Sequence, residues 1–305
     1  MSEGAKPGKA NPEAHPEPLV HGEGSGLSAT AEAEAAGRSQ GAVYTHGHHA
    51  SVLRAHRWRT AANSAAYLLK RLHTGDSILD VGCGPGTITV DLARTVSPGR
   101  VVGVDAEPAV LEEARSLAAS LRVDNVEFHE GRAESLRYDD GSFDVVHAHQ
   151  LLQHVPEPAV VLEEMGRVCR SGGIVAARDA DYHSMVWWPE DPLLDRWLAV
   201  YSAVARGNGG EPDAGRHLRS WAEEAGYANI ECSASAWCFA TDEERAQWSD
   251  SWAERVTESA LARRAVELEV AGKEELHAIA SAWRRWGAAT DGWFALVHGE
   301  ILCEA

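Results

Sequence analysis

Long apolar runs are missing from this 305-residue chain: none approaches the roughly 18 residues of a membrane span, although 44% of the residues are hydrophobic. No membrane insertion is expected, and the apolar content is enough for the core of one large domain, or of a domain with a cap. Basic charge is scarce too, with 28 Lys and Arg against 46 Asp and Glu and a formal net charge of -18. So acidic a surface repels nucleic acid and anionic membranes, which leaves a small molecule as the expected partner, bound by a monomer or homodimer. The five cysteines, Cys83, Cys169, Cys232, Cys238 and Cys303, are odd in number and form no C-x-x-C pair, and no charged-apolar-small leader opens the chain. A reduced, cytoplasmic setting is expected.

Large apolar side chains are nearly absent from the first forty residues, which are rich in Gly, Pro, Ala, Ser and Glu. Residues 1–42 are expected to form a disordered tail. Order is expected from residue 43, and His49 to Leu72 carries Val52, Leu53, Trp58, Ala61, Ala65, Leu68 and Leu72 at steps of three and four, the spacing of an amphipathic helix. From Ile78 onward short apolar runs alternate with helical stretches. Strands are expected at Ile78 to Val81, Val101 to Val104, Val126 to His129, Phe143 to Ala148 and Ile174 to Ala177. Helices between them cover Thr87 to Thr95, Pro108 to Leu121 and Pro158 to Cys169. Helices at Leu193 to Ala205 and Ala214 to Ala225, a strand near Ile230 to Ala236, a long helical segment from Thr241 to Ala289 and a strand from Phe294 to Cys303 complete the pattern. Strands of four to six residues alternating with helices describe an α/β fold, a doubly wound and mostly parallel seven-stranded sheet of Rossmann-like type. The helical cap is drawn from 43–73, 182–216 and 241–292.

Ligands of such sheets bind at the carboxyl ends of the strands, beside the loop after the first one. That loop reads Asp80-Val81-Gly82-Cys83-Gly84-Pro85-Gly86. Dinucleotide binding asks for G-x-G-x-x-G, and the third glycine of that pattern would fall on Thr87. The spacing here is G-x-G-x-G, and no G-K-[ST] follows for a triphosphate.

These residues resemble the first motif of class I S-adenosylmethionine-dependent methyltransferases, and most closely the ubiquinone/menaquinone-biosynthesis-like group acting on small molecules. The resemblance covers about residues 44 to 305 and is strongest from 77 to 181. It implies S-adenosyl-L-methionine as cofactor, with Gly82, Gly84 and Gly86 letting backbone approach the ligand and Asp80 suited to the ammonium of its amino acid end. Asp105, nineteen positions after Gly86 and followed by Ala106, takes the ribose hydroxyls by the same resemblance, and is also placed to cap the helix that starts at Pro108. Gly131-Arg132-Ala133-Glu134 departs from the family's usual G-D-A-E: Arg132 replaces the acid that meets the adenine amino group. That leaves the Ala133 N–H, and Glu134 as a substitute acceptor. In similar enzymes the leading helix folds over the cofactor, which brings Tyr44 and Arg59 to the site. Arg59 as a plain surface residue is the alternative.

Three histidines follow the fourth strand in His147-Ala148-His149-Gln150-Leu151-Leu152-Gln153-His154. Histidine titrates near neutrality and can accept a proton from a nucleophile, so His149 and His154 are the candidate catalytic residues, with His149 also near the cofactor. His154 equally suits a packed structural role. Arg178-Asp179-Ala180-Asp181-Tyr182-His183 and His46-Gly47-His48-His49 look like metal tracts only superficially, and no metal is expected. Ten of the eleven tryptophans lie from Trp187 onward, in the cap. Most belong to its core, and so much aromatic surface suits a dry cavity for an apolar or aromatic methyl acceptor. The rival readings are a relative that keeps the cofactor for a cyclisation or decarboxylation, and a silent scaffold.

Overall fold

The strands Ile78–Val81, Val101–Asp105 and Phe143–His149 are buried along nearly their whole length, which only a sheet covered on both sides permits. A computed structural model of the chain describes residues 58–305. The tail, Tyr44, the His46–His49 tract and the start of the leading helix lie outside the described residues. The parallel strands β1 (Ile78–Val81), β2 (Val101–Asp105), β3 (Val126–Glu130), β4 (Phe143–His149) and β5 (Cys169–Ala180) stand in the order β3-β2-β1-β4-β5. Alternate residues divide between the faces. Leu79, Val81, Val146 and Val175 pack with helices α5 (Pro158–Val168) and α7 (Ala214–Glu224), while Ile78, Val101, Val145 and Ala176 pack with α3 (Thr87–Val96) on the other face. Helix α4 (Pro108–Leu121) starts with Pro108 after the Glu107 cap, as its sequence leads one to expect.

The antiparallel strand β8 (Trp293–Glu304) lies along β5 through His298–Glu304 and along β6 (Val186–Trp188) through Trp293–Ala295. Its other edge is taken by β7 (Ile230–Phe239). The sheet therefore has eight strands rather than the expected seven. Because β5 and β6 share one flank of β8 end to end, the eight occupy seven places across the sheet.

Two helical expectations are corrected. The described part of the leading helix is broken into α1 (Ala61–Ser64) and α2 (Ala66–Leu69), because Asn63 and Ser64 spend their polar groups locally: Asn63 donates to the Trp58 carbonyl and closes a capping box with Thr60. The long terminal segment is three helices, α8 (Asp242–Glu258), α9 (Ala260–Glu267) and α10 (Lys273–Ala288), divided where Ser259 caps α9 and Gly272 precedes α10. With α6 (Pro192–Gly207) they form the cap. At its centre Trp197 meets Trp252 at 4.4 Å and Trp283 at 4.8 Å between ring centroids, both edge to face, the arrangement that aromatic quadrupoles favour.

All three of these indoles are fully buried, so truncating one leaves a large cavity. Trp252→Ala is expected to lower the unfolding free energy by about 3–5 kcal/mol, read from the urea midpoint at unchanged m-value. A loss under about 1 kcal/mol would show that the cap is not built around that ring.

Candidate functional site

The carboxyl ends of β1, β2, β3 and β4 open into one cavity of about 820 Å³, roofed by β7, α8 and the segment at Trp58 and Arg59. On the sheet side the wall is backbone: Gly82 and Gly84 both hold positive φ, at 73° and 55°, and both line the cavity. Gly86 does not. It caps α3 at φ 78°, and a Cβ there would meet the Ala114 Cβ at 2.8 Å and the Phe128 ring at 3.0 Å. The third glycine therefore serves helix packing, and its expected ligand contact is corrected on that ground.

The acids of the first two strands behave differently. Asp80 is buried, its Oδ2 accepting from the Thr89 hydroxyl at 2.5 Å and its Oδ1 from His147 Nδ1 at 2.8 Å. The expected free carboxylate for an ammonium is thus already engaged in tying β1 to α3 and β4, although Asp80 still borders the cavity. Asp105 accepts from the Gly84 N–H at 2.9 Å and the Glu107 N–H at 3.0 Å, which fixes the carboxylate at the cavity wall beside the glycine loop. Ala106, Ala133 and Glu134 line the same wall. Arg132, the residue that departs from the usual acid, donates to Glu134 Oε1 at 3.3 Å.

His149 ends β4 with its ring nearly fully buried at the cavity, and neither ring nitrogen has a hydrogen-bond partner among the described residues. Burial first, and then the positive charges of Arg59 and Arg178, hold its pKa well below the ordinary histidine value. The imidazole is neutral, with one donor and one acceptor nitrogen. Beside it Gln150 adopts φ 52°, held there by its N–H to the Arg178 carbonyl at 2.7 Å, by Arg59 donating to its Oε1 at 2.5 Å, and by its own amide donating to His298 Nε2 at 2.8 Å. His154 borders the cavity from a 3-10 turn, and burial pushes its pKa down to about 3. Arg59, Asp80, Gly82, Gly84, Asp105, Ala106, Ala133, Glu134, His149 and His154 all line this one cavity.

Other residues at the site were not anticipated. Trp237 on β7 faces Trp58 at 5.1 Å, His149 at 5.8 Å and His298 at 4.3 Å, with Arg59 and Arg178 at 5.6 and 5.0 Å from its ring. The guanidinium of Arg178, beneath this ring, pairs with Glu300 at 3.2 Å. His298 and Glu300 sit two residues apart on the buried face of β8, beside Phe294 and Leu296, and that pair of inward polar residues is the signal that would have found them. Asp181 and His183 do not turn toward a metal: Asp181 accepts from Arg216, and His183 meets Asp213 at 2.6 Å.

A family model described as a methyltransferase domain matches residues 72–254. An uncharacterised methyltransferase of Schizosaccharomyces pombe is 36% identical over 268 residues, covering 85% of this chain and 95% of its own. The methyltransferase-named ltbC protein of Aspergillus luteorubrus is 31% identical over 279 residues, 85% of this chain and 96% of its own. Among solved structures, the YcgJ protein of Bacillus subtilis aligns at TM-score 0.51 and 21% identity over 78% of this chain and 96% of its own. Phosphoethanolamine N-methyltransferase 2 of Haemonchus contortus, solved with S-adenosylhomocysteine, aligns at TM-score 0.52 and 16% identity over 85% of this chain and 59% of its own. Likeness at these identities is a likeness of fold.

Behind the turn that carries His154, Asp179 is fully buried and accepts the Gln153 N–H at 3.1 Å, while its other oxygen has no partner among the described residues. Burial pushes this carboxyl up to about 7. Unfolded, it ionises near ~3.9, so between these values the folded chain binds the extra proton. Its contribution to stability is full below about pH 4 and is lost as pH rises through about 7. His154 acts oppositely: its contribution is present above about pH 6.5 and is lost as pH falls toward about 3. The useful quantity is therefore a difference. Subtracting the unfolding free energy of Asp179→Asn from that of the parent is expected to give a value that falls from pH 4 to pH 7, and a flat difference would contradict the burial of this carboxyl in its neutral form.

Proposed function

The chain belongs to the S-adenosylmethionine-dependent methyltransferases, and from that premise we infer that its acceptor is a small apolar or aromatic metabolite held between the glycine loop and the cap. The observation that carries this reading is the composition of the cavity at the carboxyl ends of the strands. One end is glycine backbone and carboxylate, while the roof holds Trp58, Trp237, Phe239 and Trp248 together with Tyr182. Its volume falls within the roughly 300–1,000 Å³ usual for small-molecule sites.

The residues at the first end fit the cofactor. Gly82 and Gly84 present backbone with no side chain between it and the ligand, Asp105 is placed to accept from vicinal hydroxyls, and the Ala133 N–H is available to an adenine edge. Arg59 suits a carboxylate, and the acids around the loop suit a ligand that is cationic at sulfur and nitrogen. When bound, S-adenosylmethionine supplies an activated methyl group whose leaving group is a neutral thioether. The protein then has to align an acceptor with that methyl and keep water out. Alignment of this kind accounts for on the order of 7–11 kcal/mol in good intramolecular models. His149 and His154 are the groups near the acceptor end that can take up a proton, and both are held neutral.

Methyl transfer is favoured over the nonmethylating and scaffold readings by the family match itself. A catalytic unit from residue 43 to 305, its cap elements, a monomeric or homodimeric state and a reduced, cytoplasmic setting belong to the same proposal. No helix among the described residues is long and apolar enough to cross a membrane.

Asp105 gives the sharpest test. A hydrogen bond to a charged group contributes about 1.5–3 kcal/mol, so Asp105→Ala is expected to weaken S-adenosylhomocysteine binding by at least about tenfold in calorimetry. Radiolabelled methyl transfer into a metabolite extract is expected to fall with it. Unchanged affinity would mean that the ribose does not lie on β2.

A further inference from the structure

A second cavity, of about 290 Å³, shares Trp58 and Trp237 with the first. The two indoles meet edge to face at 5.1 Å and form an aromatic partition between the cavities. Ala62, Ala66 and Ala236 add apolar wall, and the charged residues of the lining are Arg178 and Glu300. Arg178 is 1% exposed, and its hydrogen bonds are unevenly spread. Nε donates to the Ser235 hydroxyl at 3.1 Å and to Glu300 Oε1 at 3.2 Å, and Nη2 donates to the same hydroxyl at 3.0 Å. Nη1 has no partner among the described residues, and a buried donor left open in this way is costly. The nearby carboxylate is already engaged: Glu300 Oε1 also accepts from Ser235 at 2.5 Å, and Oε2 from Ser233 at 2.7 Å. The Tyr67 hydroxyl is a second buried group with no partner among the described residues. Burial pushes its pKa up while Arg178, the strongest charge acting on it, pulls it down, so it keeps its proton and is also a donor.

We propose that this second cavity binds a small organic carboxylate, its oxygens accepting from Arg178 Nη1 and its apolar body lying against Trp58, Ala62 and Ala66. The site is separate from the cavity assigned to the cofactor and the methyl acceptor. An acceptor-only ligand is selected because the open buried groups are donors, and a carboxylate is selected over a neutral amide because hydrogen bonds between two charged groups are about twice as strong. Burial pulls the Arg178 pKa down to about 10, which still leaves a cation at neutral pH. The apolar walls add to this through the body of the ligand: inorganic anions bring no surface to bury against an indole. Glu300 works against the site. Its charge opposes a second anion beside the same guanidinium, so its removal is a direct handle on the affinity.

The test is a calorimetric titration of the full chain, in the presence of S-adenosylhomocysteine, with sodium benzoate, with benzamide, which has the same body without the charge, and with sodium formate, which has the charge without the body. Benzoate is expected to bind at least about tenfold more tightly than either. Ala62 is exposed and lines the second cavity but not the first. Ala62→Phe is therefore expected to fill the second cavity and abolish benzoate binding, with the urea midpoint of unfolding at the parent value. Glu300→Gln removes the opposing charge and is expected to tighten benzoate by at least about tenfold. Adding Arg178→Gln to that variant is expected to erase the preference over benzamide. Benzamide or formate binding as tightly as benzoate, benzoate binding that survives Ala62→Phe, or an affinity unmoved by Glu300→Gln would each overturn the proposal while leaving the methyltransferase reading standing.

Discussion

The indole of Trp237 is the contact to which the rest of the site is referred. It comes from β7, donates its N–H to the Asn63 carbonyl at 2.8 Å, meets Trp58 edge to face and covers the Arg178 guanidinium. One ring thus joins the leading segment, the carboxyl ends of β4 and β5, and the antiparallel half of the sheet. Its position follows from register. Trp237 is paired with Leu296 and stands two residues from Phe239, so both aromatics face the same side of β7, while His298 and Glu300 alternate on β8 beside them. The buried Arg178, the half-buried Arg59 and the buried Glu300 carboxylate make a polar layer near this aromatic face. Such a layer is stable only if its members are hydrogen-bonded, and Ser235 supplies part of this by accepting from Arg178 and donating to Glu300 at 2.5 Å.

The electrostatics of the cavity divide along its length. Toward β1 and β2 the protein presents carboxylates and bare glycine backbone, suited to a ligand with positive charge at nitrogen and sulfur. Toward β4 and β7 it presents cations, aromatic rings and neutral histidines. Burial and the neighbouring arginines keep His149 neutral there.

In the nucleotide-binding half, the strands from Ile78 to Ala148 and the helices between them were legible because each local signal agrees with the fold: continuous apolar runs for strands buried on both faces, Pro108 and Pro158 at helix starts, glycines at the turn. The cap was legible only in outline. Helix boundaries at Ser259 and Gly272 depend on single residues inside a long helical pattern, and the break at Ala65 depends on the Asn63 side chain, which bonds backbone at Thr60 and Trp58 and accepts from the Ser64 hydroxyl. The candidate site divides in the same way. Asp105, Gly82 and Gly84 are close in the chain to the motif that announces them. Trp237, Arg178, His298 and Glu300 come together only through pairing of strands far apart in the chain, 122 residues in the Arg178–Glu300 contact, which no local pattern encodes. Asp80 and Gly86 lie within the motif yet serve the framework, one by bonding Thr89 and His147 and the other by admitting Ala114 and Phe128 at close range.

The central claim is that one cavity holds the cofactor against the glycine loop and the acceptor against Trp237 and His149. A crystal structure of the chain with S-adenosylhomocysteine tests it most directly. The account predicts the ribose hydroxyls on Asp105, the methionine end over Gly82 and Gly84, and the sulfur turned toward the aromatic end of the cavity. Density for the ligand with its sulfur turned away from Trp237 and His149, or bound outside this cavity, would contradict it.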